Sequence, residues 1–399
     1  MSSTTMMQVD ALDSWIVYIE RNPLVVLLGI MVVWLFSHWN RKLPVSQDLE
    51  SSSEPTGYPS IQPLPDFTWE STEPLSFRPF KPKYHLTMAL TSLDHSTLIP
   101  MDKTYKDRLA LRAALLRQHP DVVIGINDPQ DANIVAAIRE LYSFVVGTYL
   151  PTRYPRMFRL VCTPKQQEML ESLVTGQQVP LDCTSESRNG RRELEILGTL
   201  VDEDFLVLLP DYSKGNRNNA DPSAEDQQAK YILQAYTTYF PSGFNPAEKL
   251  GLKLASIHAP VPGYKEKLER SMDRFFARVE AGKFVQRVNW SVTTNTELFA
   301  AFGGVHGTEG GDAVIKGQLD VHSTVLRCER QTLHRLPRTN ALVFAFHTYI
   351  YPIQTIKDEG LGEDLATAID GLKEGNVPGM HWYKRAPLWG EAVKKFLRS

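Results

Sequence analysis

An α+β body carried behind one membrane-spanning helix is the fold the sequence predicts, and three observations predict it. A charge-free apolar run, PLVVLLGIMVVWLF, occupies residues 23–36. Helical patterns come first in the body and strand patterns cluster late, which favours α+β over a regular βαβ array. Charged and polar residues recur inside two late strand-like runs, QRVNWSVT at 286–293 and TVLRCERQTLHRLPRTNALVFAFHTYIYPI at 324–353. Ionised groups are costly to bury, so charges in such runs are paired or serve a site.

The apolar run continues through Ser37, His38 and Trp39 to about 17 residues, enough for a helix to cross a bilayer. Trp15, Trp34 and Trp39 suit interface anchors. Asp10, Asp13 and Glu20, with one Arg21, precede the run, and Arg41 and Lys42 follow it. That asymmetry places segment 1–22 in the lumen and the body in the cytosol, with the endoplasmic reticulum as the membrane for so short an anchor. No cleavage site of a signal peptide is evident. Residues 40–83, rich in Pro and Ser, read as a linker that lies over the body toward its end. The folded domain spans 84–399.

Within it, Val135, Ile138, Leu141, Tyr142, Val145, Val146 and Tyr149 form one stripe, predicting a helix over 131–150 that Pro151 ends. Asp221-Pro222 opens a second helix, to about Tyr239, and Gly282 closes a third over 264–281. Strands are expected at 194–200, 205–209, 285–292, 321–330 and 341–351. Residues 210–222 and 303–318 read as exposed loops.

Composition excludes several classes. The chain has 399 residues, 42% of them hydrophobic, and a net charge of −3, so it can build a large core and has no global pull toward nucleic acid. Its three cysteines, Cys162, Cys183 and Cys328, make no C-x-x-C pair and no disulfide framework. Nucleotide, kinase, zincin and α/β-hydrolase motifs are absent, as is the signature of covalent haem attachment.

Two constellations remain. Strand alternation puts Arg287, Asn289 and Ser291 on one face, and Arg327, Glu329 and Gln331 on one face, with Cys328 and Arg330 turned the other way. Two such strands can line one polar pocket whose guanidinium groups suit carboxylates. A structural Arg–Glu pair in a sheet fits the same pattern. In SIHAPVPG, His258 follows an apolar strand and sits in a turn restricted by Pro260 and Pro262. An imidazole so restrained suits a metal or haem ligand, although a lone His is more often a hydrogen-bonded structural residue.

The words YHLTMAL, ELYSFVVGTYLPTRYPRMF, EDFLVLLP, KLGLKLASIHAPVPGY, RVNWSV and LRCERQTLHRLPRTNALVFAFHTYI, spread over about 80–385, resemble the haem-dependent oxidative N-demethylase alpha-subunit family and its fungal HRQ-type relatives. The resemblance implies a PAS-like antiparallel sheet with flanking helices around non-covalent haem b. It also implies oxygen-dependent demethylation of a small amine and a separate electron-donating reductase. Carried over to this sequence, it makes His258 the axial ligand. Arg287, Asn289 and Arg330 become cofactor-binding residues, and Glu329 and Arg327 catalytic ones. The anchor goes beyond what the family pattern requires, and a secondary metabolite is then a substrate alternative to a small amine. Cys328, opposite in facing to Glu329, is the weaker ligand candidate. A haem-binding PAS-like sensor or carrier and a non-catalytic interaction protein are the competing functions.

Overall fold

The computed structural model describes residues 57–211, 229–307 and 320–399. The expected lumenal segment, the anchor at 23–39 and the first part of the linker lie outside them. Among the described residues no helix is long and apolar enough to cross a membrane.

Among the described residues ten strands form two sheets: β1 (Thr91–Ser92), β2 (Ile124–Ile126), β3 (Phe158–Cys162), β4 (Glu168–Ser172), β5 (Gln178–Pro180), β6 (Asp204–Pro210), β7 (Tyr231–Thr237), β8 (Phe284–Thr293), β9 (Val325–Arg335) and β10 (Leu342–Pro352). The large sheet runs β1-β8-β9-β10-β6-β7-β2, antiparallel throughout, and β3-β4-β5 make a small separate one. The α+β class and the large antiparallel sheet with flanking helices agree with the sequence reading.

Register decides what each face of the large sheet carries. Asn289 pairs with Glu329 and Glu329 with Thr348, while Trp290 pairs with Cys328 and Cys328 with Tyr349. Because the side-chain period is two, Trp290, Cys328 and Tyr349 share one face and Asn289 and Glu329 the other. The first face is closed by α1 (Tyr105–Gln118), α2 (Ala132–Tyr142), α3 (Leu150–Arg153) and α4 (Arg191–Leu200), with Leu109, Ile138 and Leu197 packed against Phe205, Val207 and Val343. The second is approached by α5 (Leu254–Ile257), α6 (Tyr264–Lys267) and α7 (Glu269–Arg278). Late in the chain, α8 (Ile353–Asp358), α9 (Gly362–Asp370), α10 (Met380–Tyr383) and α11 (Ala386–Arg398) complete the fold, and Leu365, Ile369 and Trp389 cover Trp290 and Cys328. Residues 57–83 pack on this body: Tyr58 stacks on Phe144 at 3.7 Å, and Phe77 meets Tyr349 edge-on.

Several elements differ from expectation for identifiable reasons. Residues 194–200 form a helix, not a strand, because Leu194, Leu197 and Leu200 repeat every three and all face the core. Residues 231–237 are strand, not helix; Tyr231 and Leu233 share one buried face, and a bulge opposite Val207 and Leu208 turns Ala235 to the other. The 131–150 helix starts where Asp131 accepts from the Asn133 amide, passes through a π-helical segment, Ser143–Tyr149, and continues beyond Pro151 to Arg153. Pro151 sits in the first turn of α3, where a missing N–H costs nothing, so it does not end the helix. The 264–281 helix is broken at Leu268 (φ −120°) and ends at Arg278. The strand expected over 321–330 begins at Val325, after a 3-10 turn, and runs on to Arg335.

Candidate functional site

On its second face the sheet is not filled. The helices α5–α7 and α10 stand off it and enclose a cavity of about 710 Å³, within the range of small-molecule and cofactor sites. Leu206 and Leu208 of β6, Leu233 of β7 and Phe344 and Phe346 of β10 form an apolar floor, and Val261, Leu268 and Met272 an apolar wall. The polar groups gather along β8 and β9.

Arg287, Asn289, Glu329 and Gln331 all line the cavity, so the two strand faces meet in one site. Glu329 accepts from Gln331 Nε2 at 2.9 Å through Oε2, while its buried Oε1 has no partner. Burial pushes the Glu329 carboxyl up, against the pull of Arg327. Arg287 donates to the Met88 carbonyl at 3.3 Å, its Nε lies buried without a partner, and burial lowers its pKa.

His258 is not preceded by a strand. It ends the single turn of α5, and its ring Nδ1 lies 2.9 Å from the Leu254 carbonyl. That contact requires the proton on Nδ1 and leaves Nε2 with a free lone pair, on a residue that lines the cavity. The ring stacks on Tyr264 with centroids 4.8 Å apart, and burial holds its pKa below the ordinary histidine range.

Arg327 and Arg330 are placed otherwise. Arg327 shares the cavity face of β9, but its two terminal nitrogens donate to backbone, Phe240 O at 2.8 Å, Leu298 O at 3.0 Å, Glu297 O at 3.1 Å and Pro241 O at 3.3 Å, and only its buried Nε lacks a partner. It ties together the two loops that lead to the rim residues Ser242 and Ala301. Arg330 is on the opposite face, donating to Gln286 Oε1 and to the Leu98 and Thr97 carbonyls. A group in the cavity is out of its reach, because one position along a strand reverses the side chain. Cys328 shares that face, buried among Trp290, Leu326 and Tyr349, and burial pushes its thiol up to about 12. A Cys328→Ala variant is therefore expected to leave the absorption spectrum of the haem-loaded protein unchanged; a shifted Soret band would show that the thiol reaches the iron.

Lys384 and His306 are among the titratable residues of the cavity that escaped the sequence reading. Lys384, at the junction of α10 and α11, lines it and donates to Trp290 O and, at 3.3 Å, to Asn289 Oδ1. His306 lines it too, stacked on Tyr383 at 4.4 Å; burial lowers its pKa to about 3, and its Nδ1 has no partner. Neither carries a periodic signal, since each stands in an irregular stretch.

The raised carboxyl of Glu329 has a consequence for stability. Below its ordinary value of 4.5 folded and unfolded chains are both protonated; above it only the unfolded chain releases the proton. Stability is thus lost as pH rises from that value toward the folded pKa. Glu329→Gln is expected to raise the urea midpoint of the haem-free protein at about pH 8, with the difference shrinking toward about pH 4. A pH-independent difference would assign the effect to packing.

Fold and site together define an antiparallel-sheet α+β protein with a large, mainly apolar small-molecule cavity that holds a restrained imidazole and a cluster of charges. Residues 89–394 match the haem-dependent oxidative N-demethylase, alpha subunit-like family, and the chain belongs to that family. The cavity fits the group the family is named for. A haem takes an apolar slot, an axial ligand such as an imidazole nitrogen, and cations for its two carboxylates. The cavity has the apolar walls, the free Nε2 of His258 and the Arg287 guanidinium. Among the described residues no three His, Cys, Asp or Glu side chains gather as a bare-metal site.

Proposed function

We propose that the protein is a haem-dependent oxidoreductase that removes an N-methyl group from an amine, holding haem b non-covalently in the cavity through His258. The observation that carries this reading is the His258 ring itself: Nδ1 fixed on the Leu254 carbonyl, Nε2 free, in an apolar cavity of cofactor size. A partner on the distal nitrogen fixes the tautomer and orientation of a ligating imidazole. The antiparallel sheet would serve as a PAS-like cradle, and Arg287 would take a carboxylate of the group.

When bound, haem supplies the redox centre at which dioxygen and the methyl group react. Overall, a methylated amine, dioxygen, two electrons and two protons yield the demethylated amine, formaldehyde and water, with the electrons supplied by a separate reductase. The chain's own residues bind and position. The unpartnered Oε1 of Glu329 accepts a hydrogen bond from the amine N–H, Gln331 holds the other oxygen, and the raised pKa lets Glu329 hold or pass a proton at the reacting end. The leucine and phenylalanine floor excludes water and favours an apolar body on the amine, such as a secondary metabolite. The anchor at 23–39 would hold the domain at the cytosolic face of the endoplasmic reticulum; release of the full chain from membranes by alkaline carbonate would refute that.

The test is formaldehyde release. Haem-loaded protein, a chemical reductant and air are incubated with a panel of N-methylated secondary amines. Formaldehyde in proportion to amine consumed is the expected result. None across the panel, from protein with a normal Soret band, would overturn the demethylase reading.

A further inference from the structure

Lys384 is an unusual group to find in an apolar cavity. It reaches β8 where that strand has lost its neighbour: β1 covers only Val285 and Gln286, and Lys384 Nζ donates to the Trp290 carbonyl beyond them. Its other acceptor is the neutral Asn289 Oδ1. Aromatic rings of Tyr84 and Trp290 lie 5.3 and 5.2 Å from Nζ. Among the described residues it forms no ion pair with a carboxylate. Yet a carboxyl is close by, because Asn289 faces Glu329 directly across the β8–β9 ladder, where side chains are about 5 Å apart.

We propose that Lys384 and Glu329 form an aldehyde-capturing pair, in which Lys384 Nζ condenses with a small aldehyde to a protonated imine while the Glu329 carboxyl supplies the proton. The proposal rests on the demethylase reading for the origin of the aldehyde, which that reaction releases inside this cavity. The neutral amine attacks the carbonyl carbon, the oxygen takes the Glu329 proton, and the nitrogen returns one to the carboxylate. Glu329 then protonates the departing hydroxyl, water leaves, and the C=N bond forms. Amine, aldehyde and carboxylic acid become iminium, carboxylate and water, and the products are an ion pair where the reactants were neutral.

The electrostatics support both starting states. Burial, with the Arg287 charge nearby, lowers Lys384 to about 7, against the opposing pull of Glu329 and Cys328. Burial raises Glu329. Depressed, desolvated lysines are the ones that act as Schiff-base nucleophiles. A lysine that merely capped the edge of β8 would stay charged and inert.

The experiment is reductive labelling of the full-length chain with ¹³C-formaldehyde and cyanoborohydride at about pH 7, read by peptide mapping. Lys384 is expected to be methylated at least about tenfold faster than the exposed Lys165. Glu329→Gln should slow labelling of Lys384 and leave Lys165 unchanged. Lys384 unlabelled, or no faster than Lys165, overturns the proposal without needing any variant. Equal rates in Glu329→Gln overturn the proton role of the carboxyl. Fast labelling in a protein that releases no formaldehyde from any amine would retain the capture site and discard the demethylase source, so the two readings fail separately.

Discussion

His258→Gly is expected to abolish the Soret band of the haem-loaded protein, with added imidazole restoring it. The expected loss of haem affinity is at least the ~10–100-fold that removing a mere supporting contact to a ligand costs. His306→Ala, by contrast, is expected to retain haem. Both imidazoles line the cavity and burial keeps both neutral, so exposure and charge do not separate them. Orientation does. His258 has its Nδ1 proton committed to the Leu254 carbonyl, which presents Nε2 as a lone pair in a fixed direction, and Tyr264 stacks along its face. His306 is tied instead to backbone at Ser242 and Tyr383, on the cavity rim, and leaves its Nδ1 without a partner. Loss of the band in His306→Ala with a normal spectrum in His258→Gly would reverse the assignment.

The sequence made the cavity strands legible because a period of two leaves only two faces to choose from. Placing Arg287 and Asn289 with Glu329 and Gln331 required only that β8 and β9 be neighbours, and their register makes them so. The same alternation had already turned Arg330 and Cys328 away from Glu329, and assigning Arg330 to the cofactor set aside that geometry. Arg327 is subtler. It is on the right face, but its acceptors are backbone carbonyls at 240, 241, 297 and 298, and no side-chain pattern announces a carbonyl. Lys384 and His306 reach the cavity from irregular segments far along the chain, where neither helix nor strand period applies. The helix α1 went unread because Arg108 and Arg112 stand among its buried positions and erase the apolar stripe.

That helix carries the second large effect. Arg112→Met should destabilise the fold by about 3–5 kcal/mol, the cost of leaving buried carboxylates without their cation. Arg112 is fully buried, pairs with Asp204 at 2.8 Å and Asp202 at 3.5 Å, and donates to the Gly198 and Glu203 carbonyls. Asp204 in turn accepts from the Tyr239 and Phe240 amides, at 2.9 and 2.8 Å. Phe240 and Pro241 are the residues whose carbonyls Arg327 grips on the other side, next to the rim residue Ser242. One buried chain of charges thus runs from α1 to the cavity rim, and loss of Arg112 should lower both the urea midpoint and haem affinity. Adding Asp204→Asn separates the causes. With the uncompensated charge gone, the double variant should recover part of the stability, whereas a packing defect would make the two losses add. An Arg112→Met protein with a wild-type midpoint would show that Arg108, 3.0 Å from Asp202, suffices to neutralise the cluster alone.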